Sequence, residues 1–531
     1  MIAPARASER YDVAVIGFGP AGAVCAGLLG RLGVRTLAID RSRELYDKPR
    51  AFALDHEIMR VFQNLGIAGE VTRHVAPFAP AEYYGADGQL IKRLGAVAPP
   101  WPLGWCPSMV FSQPAVETAL RRAVSAQPGV EVALGVELTG IGQARDEVTL
   151  RLSDEARGER TVRARYAIGC DGAASTVRGL LAIAHDDLEF DEPWLVIDAI
   201  VNDRGAAKLP RTGVHRCDPS RPSTYLLGPG AHRRWEIMLL PDEDPREMET
   251  EAQVWRLLAR WITPADGRLW RAASYSFHAL VAREWRRGRV FIAGDAAHQQ
   301  PPFLGQGMCQ GVRDVANLSW KLGRVLAGEG GDALLDTYET ERRPHVQRLT
   351  TTVRTIGRIV CELDPAAARA RDARLLAEAG GAVTTVPRQD LIPPLETGLL
   401  SPARHRANGT LFPQPRVRAG RETALLDDLA GAGFRIVTRD RGQAEAARSG
   451  GPNERLRARV IRLAPEAPVD APDVDGVLSV AETEGVLAGW LDRHDCSAAI
   501  VRPDHYVYGV AASEGELVKQ LETLVADLNR G

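Results

Sequence analysis

The chain has 531 residues, which at roughly 150 residues per domain indicates two to four domains. Its 66 basic and 68 acidic residues leave a formal charge of -2, so the charge gives no reason to expect nucleic-acid binding. The seven scattered cysteines lack the spacing of a zinc site or a CxxC pair. We therefore expect no metal site and a soluble protein of the reducing cytoplasm, without a membrane partner.

The first predicted unit, residues 11–40, reads as a strand, a glycine-rich turn, a helix and a second parallel strand. Glycines in this turn allow a pyrophosphate to approach the helix N-terminus closely. Asp40 ends the second strand, where an acid can bind a ribose hydroxyl. The unit predicts dinucleotide binding, although the motif alone does not separate FAD from NAD. The turn residues are Gly17, Gly19, Pro20, Ala21 and Gly22.

Two aspartates follow later predicted strands, Asp171 after 167–170 and Asp295 after 290–293. Ligands bind at the carboxyl ends of strands in open α/β sheets, and a carboxylate there can accept hydrogen bonds from sugar or ribityl hydroxyls. The alternative is that each is an ordinary helix N-cap. Their order after the glycine turn favours cofactor binding for both.

Between these aspartates, short apolar stretches over 183–275 predict a mostly antiparallel sheet inserted in the nucleotide-binding domain. A strong amphipathic helix is predicted at 312–326 and another around 334–351. After a connector with glycine and proline, the tail from about residue 409 predicts a small α/β domain.

Together, the glycine turn and the two aspartate motifs resemble those of the FAD-dependent aromatic hydroxylases related to para-hydroxybenzoate hydroxylase. The last motif continues in a typical way through 301–309, and the stretch 336–344 is equally typical. Among these enzymes the chain looks most like the 3-(3-hydroxyphenyl)propionate hydroxylases, on the segments 47–51, 217–222 and 502–504.

The resemblance implies an α/β fold with a Rossmann-like FAD-binding domain, an inserted mixed β-sheet substrate domain and a C-terminal thioredoxin-like domain. Cys496 has no partner cysteine in the tail, so the tail cannot run dithiol chemistry. The expected ranges are 1–182 for the first part of the FAD domain (with part of the substrate domain near 76–104), 183–275 for the substrate domain, 276–364 for the second part of the FAD domain, 365–408 for a linker and 409–531 for the thioredoxin-like domain.

The same resemblance assigns roles to site residues. Asp295 would hold the ribityl chain, and the carbonyl of Pro302 or of its neighbour would face the substrate ring. The backbone amides of Met308 and Cys309 would stabilise negative charge on the reduced flavin. Leu304 and Cys309 replace a Gly and an Asn of many relatives, which puts side-chain contacts there in doubt. The expected catalytic residues are Pro302, Met308 and Cys309, and the expected cofactor contacts also include Arg50, Gln113, Asp171, Gly305, Gln306 and Gly307.

The implied activity is that of an NAD(P)H-dependent FAD monooxygenase. Reduced flavin would react with O₂ to form a C4a-hydroperoxide, which transfers OH to a ring carbon of a small phenolic substrate, most simply a phenolic acid of the 3-(3-hydroxyphenyl)propionate type. The choice of NADH or NADPH stays open, as does the oligomeric state, with a homodimer as one alternative. Alternative functions are hydroxylation of polyketide or other phenolic aromatics, and a non-catalytic flavoprotein that sequesters aromatic ligands.

A phenolic acid would require at least one cation or several hydrogen-bond donors in the cavity, and the inserted sheet offers candidates for this role: Arg211, His215, Arg216, Arg221, Arg233 and Arg234. Because a strand alternates its faces, Arg234 and Glu236 share one face while Arg233 and Trp235 share the other. Only one of these pairs can therefore face the substrate.

Overall fold

The computed structural model describes residues 10–154, 158–466, 473–474 and 476–530. Its mixed α/β architecture confirms the predicted fold class. Up to residue 182 the elements are β1 (Arg10–Ile16), α1 (Pro20–Arg31), β2 (Thr36–Asp40), β3 (Ala53–Asp55), α2 (His56–Asn64), α3 (Ala68–Val71), β4 (Val75–Pro77), β5 (Ala81–Tyr84), β6 (Leu90–Gly95), β7 (Ser108–Phe111), α4 (Gln113–Ser125), β8 (Val130–Leu134), β9 (Val136–Gln143), β10 (Val148–Asp154), β11 (Gly158–Gly169) and α5 (Thr176–Leu180).

The middle of the chain forms long antiparallel strands and then two long helices. Its elements are β12 (His185–Val201), α6 (Asp203–Lys208), β13 (Gly213–Arg216), β14 (Ser223–Leu227), β15 (His232–Met238), α7 (Pro245–Met248), α8 (Glu251–Leu258), β16 (Gly267–Ala282), β17 (Arg286–Arg287), β18 (Val290–Ile292), β19 (His298–Gln299), α9 (Gly307–Leu326) and α10 (Ala333–Val360).

The last part of the chain alternates short strands and helices. Its elements are α11 (Pro365–Glu378), β20 (Thr385–Pro387), β21 (Arg416–Ala419), β22 (Glu422–Leu425), α12 (Leu426–Ala430), β23 (Arg435–Thr438), α13 (Arg441–Ser449), α14 (Gly451–Leu456), β24 (Arg459–Leu463), β25 (Asp473–Val474), β26 (Val477–Glu482), α15 (Val486–Arg493), β27 (Ala498–Val501), β28 (Val507–Ala511) and α16 (Glu514–Leu528).

The first sheet has parallel strands in the order β18-β11-β1-β2-β8, with β9, β10 and β17 joined by antiparallel pairing. Strand β1 is buried from Val13 to Ile16, and α1 packs its apolar face against α9 and α4. Since these strands run parallel, the glycine turn after β1, Asp171 after β11 and Asp295 after β18 lie at the same carboxyl edge of the sheet.

The second sheet is nine-stranded, in the order β19-β16-β12-β15-β14-β13-β5-β6-β20. It draws on the predicted substrate range and on β5 and β6, and also on later segments. The range predicted as a linker, 365–408, contributes α11 and also β20, which pairs in parallel with β6. One face of the sheet buries Trp235 and its neighbours against α8, so the other face is left for a ligand.

The tail forms a mixed eight-stranded sheet in which β23, β24 and β26 run parallel and β27 and β28 form an antiparallel pair. It packs against helix α10 through buried charges: Arg502 of the tail donates to both oxygens of Glu341 in α10. Within the described ranges, no helix is both long and apolar enough to span a membrane, and no group of side chains could hold a metal ion.

Candidate functional site

A cavity of about 670 Å³ lies between the carboxyl edge of the first sheet and the free face of the nine-stranded sheet. This volume is within the usual range for small-molecule sites. It brings together side chains and backbone from all three predicted cofactor motifs. The predicted residues that line it are Gly17, Gly19, Pro20, Ala21, Asp40, Arg50, Gln113, Asp171, Asp295, Pro302, Gly305, Gly307 and Met308.

The glycine turn has the geometry of a phosphate-binding loop. Gly17 has a φ of +96°, and a Cβ there would lie 2.3 Å from the carbonyl oxygen of Cys170. A Cβ at Gly22 would collide with the carbonyl of Gly17, so this glycine serves packing and does not line the cavity. A Cβ at Gly19 would meet no atom within 4 Å, because its side faces open space in the cavity. Asp40 holds the turn, since its Oδ2 accepts from the Phe18 N–H at 2.8 Å.

The two aspartates at the sheet edge differ in their partners. Asp171 accepts hydrogen bonds from the Ser175 hydroxyl at 2.6 Å and from the Val177 N–H at 3.0 Å, so it acts at least in part as a turn cap. Asp295 accepts no hydrogen bond from any described residue and is exposed into the cavity. The cavity walls withdraw it from bulk water, which raises the pKa of its carboxyl. Asp295 therefore has both oxygens available for a ligand.

Helix α9 begins at the cavity with Gly307, and the N–H groups of Gly307, Met308 and Cys309 have no acceptor among the described residues. These donors and the positive helix end suit an anionic part of a cofactor. The side chains of Cys309 and Gln306, in contrast, contact other protein groups. Cys309 is fully buried and its thiol points to the Ala53 carbonyl, while the Gln306 side chain accepts from Arg313 at 2.8 Å. Only the backbone of these two residues can serve the cofactor.

The remaining predicted contacts are partly engaged within the protein. The Gln113 side-chain oxygen accepts from the N–H groups of Arg50 at 2.9 Å and Ala51 at 2.6 Å, so it positions that segment. The Arg50 guanidinium lies over the Tyr46 ring at the cavity wall. The Pro302 carbonyl accepts from the Gly305 N–H at 2.7 Å, which leaves one lone pair free.

On the substrate side, Arg234 and Glu236 line the cavity while Trp235 packs in the opposite core, as the strand alternation predicts. Arg234 is nevertheless engaged: its Nε donates to Asp198 Oδ1 at 2.8 Å and its Nη1 to the Arg50 carbonyl at 3.0 Å. Arg271 also lies near Asp198, with its Nη1 3.8 Å from Oδ2. Asp198 therefore engages Arg234. Arg271 makes no hydrogen bond with Asp198: its Nη1 donates to the Pro49 carbonyl, its Nε and Nη2 have no hydrogen-bond partner among the described residues, and it remains a second cation at the cavity.

Sequence reasoning missed the cavity cation Arg388, which lies in the range predicted as a linker. Its Nη2 donates to the Leu304 carbonyl at 2.7 Å, its guanidinium lies 4.2 Å from the Phe78 ring centre, and it pairs with no carboxylate of the described chain. Burial lowers the pKa of its guanidinium. Its segment has no periodicity that could have indicated a site. His215 lies nearby, with its Nδ1 3.0 Å from the Thr224 hydroxyl.

The described residues fit FAD at this cavity. Asp295 offers two unmet acceptors, the α9 N-terminus offers unmet donors, and a Cβ at Gly19 or Gly307 would meet no protein atom within 4 Å. Such a cradle of glycines, free amides and one carboxylate matches the pyrophosphate, flavin carbonyls and ribityl hydroxyls.

Comparison with known proteins agrees with this fit. Residues 10–353 match a family model described as an FAD binding domain, and residues 409–526 match one described as the HcaD C-terminal domain. A probable NADH-specific resorcinol 4-hydroxylase of Rhodococcus jostii (strain RHA1) is 36% identical over 98% of this chain and 96% of its own. A 3-(3-hydroxy-phenyl)propionate/3-hydroxycinnamic acid hydroxylase of Mycobacterium sp. (strain JLS) is 34% identical over 95% of this chain and 89% of its own.

Solved structures share the fold over nearly the whole chain. The flavin-dependent monooxygenase PieE, in complex with FAD and substrate, has a TM-score of 0.80 at 24% identity and covers 98% of this chain and 100% of its own. Aklavinone-11 hydroxylase, in a ternary complex with FAD and aklavinone, has a TM-score of 0.78 at 23% identity with the same coverage.

Proposed function

The chain belongs to the FAD-dependent aromatic hydroxylases, and on that premise we propose that it uses NADH to hydroxylate a phenolic acid whose hydroxyl is meta to its side chain. The observation that carries the proposal is a single cavity shared by the cofactor motifs and the free face of the nine-stranded sheet. NADH is chosen because one relative is named as NADH-specific.

The chemistry supplied by bound FAD is hydride acceptance from the nicotinamide and activation of O₂. The protein's own residues bind and orient. Asp295 would accept hydrogen bonds from ribityl hydroxyls, the α9 amides of Gly307 and Met308 would stabilise negative charge on the flavin, and Arg50 would contribute a permanent positive charge at the cavity wall. Apolar walls such as Phe303 exclude water from the reacting ring.

The phenolic-acid substrate is favoured by Arg388. It is a buried guanidinium that faces the cavity without a carboxylate partner. A substrate carboxylate would balance its charge and accept hydrogen bonds from its free N–H groups. Resorcinol and 3-(3-hydroxyphenyl)propionate, the substrates in the relatives' names, share a hydroxyl meta to a polar substituent. The meta arrangement is thus the feature common to both.

The test is a comparison of 3-(3-hydroxyphenyl)propionate with its neutral amide, measured by oxygen uptake and NADH oxidation. The acid should bind more tightly by about 2–5 kcal/mol, because the amide leaves Arg388 unpaired. Arg388→Met should remove that preference, whereas Arg354→Met, a substitution outside the cavity, should keep it. Equal turnover of acid and amide by the unmodified enzyme would contradict a phenolic-acid substrate.

A second candidate is hydroxylation of a neutral diol such as resorcinol, favoured by the name of the 36% identical relative. It predicts better kcat/KM for resorcinol than for the acid.

We also propose a cytoplasmic location, since all seven cysteines are free thiols in the structure.

A further inference from the structure

Glu236 of β15 is a buried carboxylate that faces the cavity. It is 5% exposed, lines the cavity and makes no hydrogen bond with any described residue. The nearest cation is Arg234, whose Nη1 lies 4.0 Å from the Glu236 Oε1. A buried carboxylate without hydrogen bonds is costly, so the group either takes up a proton or meets a ligand that completes it.

Arg234 does not complete Glu236, because four of its five N–H donors serve other acceptors and its Nη1 lies 4.0 Å from Glu236, beyond hydrogen-bond distance. It donates to both oxygens of Asp198 and to the carbonyls of Pro49 and Arg50. Burial raises the pKa of Glu236 to about 7, with Arg234 lowering it and Asp198 raising it. Near neutral pH, Glu236 can thus hold or release a proton.

The neighbours of Glu236 form a polar row across the cavity face of the sheet. In cross-strand register, Glu236 lies opposite Thr224, Thr224 opposite His215, and His215 opposite Tyr83. All four are buried, and the His215 and Tyr83 rings stack at 4.1 Å. Arg388 lies beside the His215 and Tyr83 end of this row, since its charge acts on both groups, and Glu236 lies at the other end.

His215 is the other group in this row that could accept a proton. Its Nδ1 is engaged with Thr224, and burial together with the charge of Arg388 lowers the pKa of its imidazole to about 3. Near neutral pH it is a neutral hydrogen-bonding group and a weak base. The carboxylate is therefore the better acceptor for a phenolic proton.

We propose that Glu236 is the catalytic base that binds the substrate hydroxyl and removes its proton. As the ring attacks, its electron pair forms the new C–O bond with one oxygen atom from O₂. The O–O bond breaks, and the other oxygen atom leaves at the oxidation level of water with the two electrons that NADH supplies. The phenolic O–H bond breaks, its electron pair becomes the C=O of a ring dienone, and the proton forms a new O–H bond on Glu236. The inference rests on the proposed function and adds that the hydroxyl, not the carboxylate, of the substrate lies at the Glu236 end.

The first test compares Glu236→Gln with Glu243→Gln, a nearby glutamate paired with Arg221 outside the cavity. Glu236→Gln should lower kcat/KM for 3-(3-hydroxyphenyl)propionate by about 100-fold, within the usual range for loss of a general base. The unmodified enzyme and Glu243→Gln should show kcat/KM rising with pH through about 7, the pKa of Glu236, and the Gln variant should lose this limb. Glu236→Asp should recover part of the kcat/KM and still show a rise of kcat/KM with pH, because it keeps a carboxylate.

The second test measures binding without turnover, by quenching of flavin fluorescence. The unmodified enzyme should prefer 3-(3-hydroxyphenyl)propionate over its 3-methoxy ether, which has no proton to donate, and Glu236→Gln should lose that preference. An unchanged rate and pH limb in Glu236→Gln, or an unchanged preference for the phenol, would overturn the role of Glu236. No turnover of any phenol by the unmodified enzyme would instead overturn the proposed function, and the binding preference would still decide the role of Glu236.

Discussion

Glu341 and Glu236 are both buried carboxylates, one at the contact with the tail and the other at the cavity. Glu341 accepts from Arg502 at 3.0 and 2.7 Å, from Lys321 at 2.8 Å and from Asn317 at 2.7 Å. Burial alone would raise its pKa, but Arg502 and Lys321 hold the pKa at about 2. Glu236 has no such donors, and its pKa is raised to about 7.

The difference in pKa between Glu341 and Glu236 distinguishes a structural carboxylate from one that is available to a ligand. Burial acts on both carboxylates in the same direction, and the donors around each decide the outcome. A carboxylate whose oxygens are all satisfied by the protein holds domains together. A carboxylate left unmet beside a cavity, such as Glu236 or Asp295, is available for a ligand.

The largest expected effect is on stability, at Glu341, whose oxygens are satisfied by donors within the protein. Arg502→Met should lower the free energy of unfolding by about 3–5 kcal/mol, because Glu341 and Asp504 lose their shared cation inside the protein. Urea unfolding followed by tryptophan fluorescence measures it. As a control, Arg439→Met removes an exposed ion pair to Asp492 and should cost less than about 1 kcal/mol. Equal midpoints for the two variants would contradict a structural role for the buried pair.

At the cavity, Glu236→Gln should stabilise the protein at neutral pH. The pKa of Glu236 is about 7 in the folded protein against 4.5 normally, so the folded state binds more protons between these values. Stability of the unmodified protein therefore falls as pH rises from about 4.5 to 7 and is level above, a loss of about 3 kcal/mol that the Gln variant escapes. Urea midpoints of both proteins between pH 5 and pH 8 measure it, and parallel pH curves would contradict the raised pKa.

Asp295→Ala tests the second unmet carboxylate. It should weaken FAD binding by about ten- to hundredfold, or about 1–3 kcal/mol, since acceptors for the ribityl hydroxyls are lost. The apoprotein midpoint should stay unchanged, because Asp295 accepts from no described residue. Asp171→Ala should instead lower that midpoint, since Asp171 caps its own turn. FAD titration of dilute apoprotein decides it, and full retention of FAD by Asp295→Ala would refute the assignment.

The smallest expected effect is at Cys309. Its thiol faces the Ala53 carbonyl and not the cavity, and its backbone N–H, the group offered to the cofactor, survives in Cys309→Ala. The kcat/KM for a phenolic acid should therefore stay unchanged, with only a small loss of stability from the buried methyl-sized gap. A large fall in kcat/KM in steady-state assays would give the thiol itself a role in the reaction.

Much of the cofactor side could be predicted from the sequence, because its signals are local. A strand, a GxGxxG turn, a helix and an acid at a fixed offset place Gly17, Gly19 and Asp40 without knowledge of the rest of the chain. The period of two in a strand also assigned Arg234 and Glu236 to one face, and both line the cavity. The fold class and the family followed from the same motifs and their order.

Only the tertiary structure decided which charges are free. Arg234 donates to Asp198, and the Gln113 side chain accepts from the backbone of Arg50. Glu341 accepts from Arg502, which lies 161 residues away in the chain. Arg388 reaches the cavity from a segment without any pattern. Residue type and spacing determine where a backbone turns and which face a side chain takes, since those depend on neighbours in sequence. Whether a buried charge is neutralised depends on partners brought together by folding, and the pKa and chemistry of Glu236 follow from that alone.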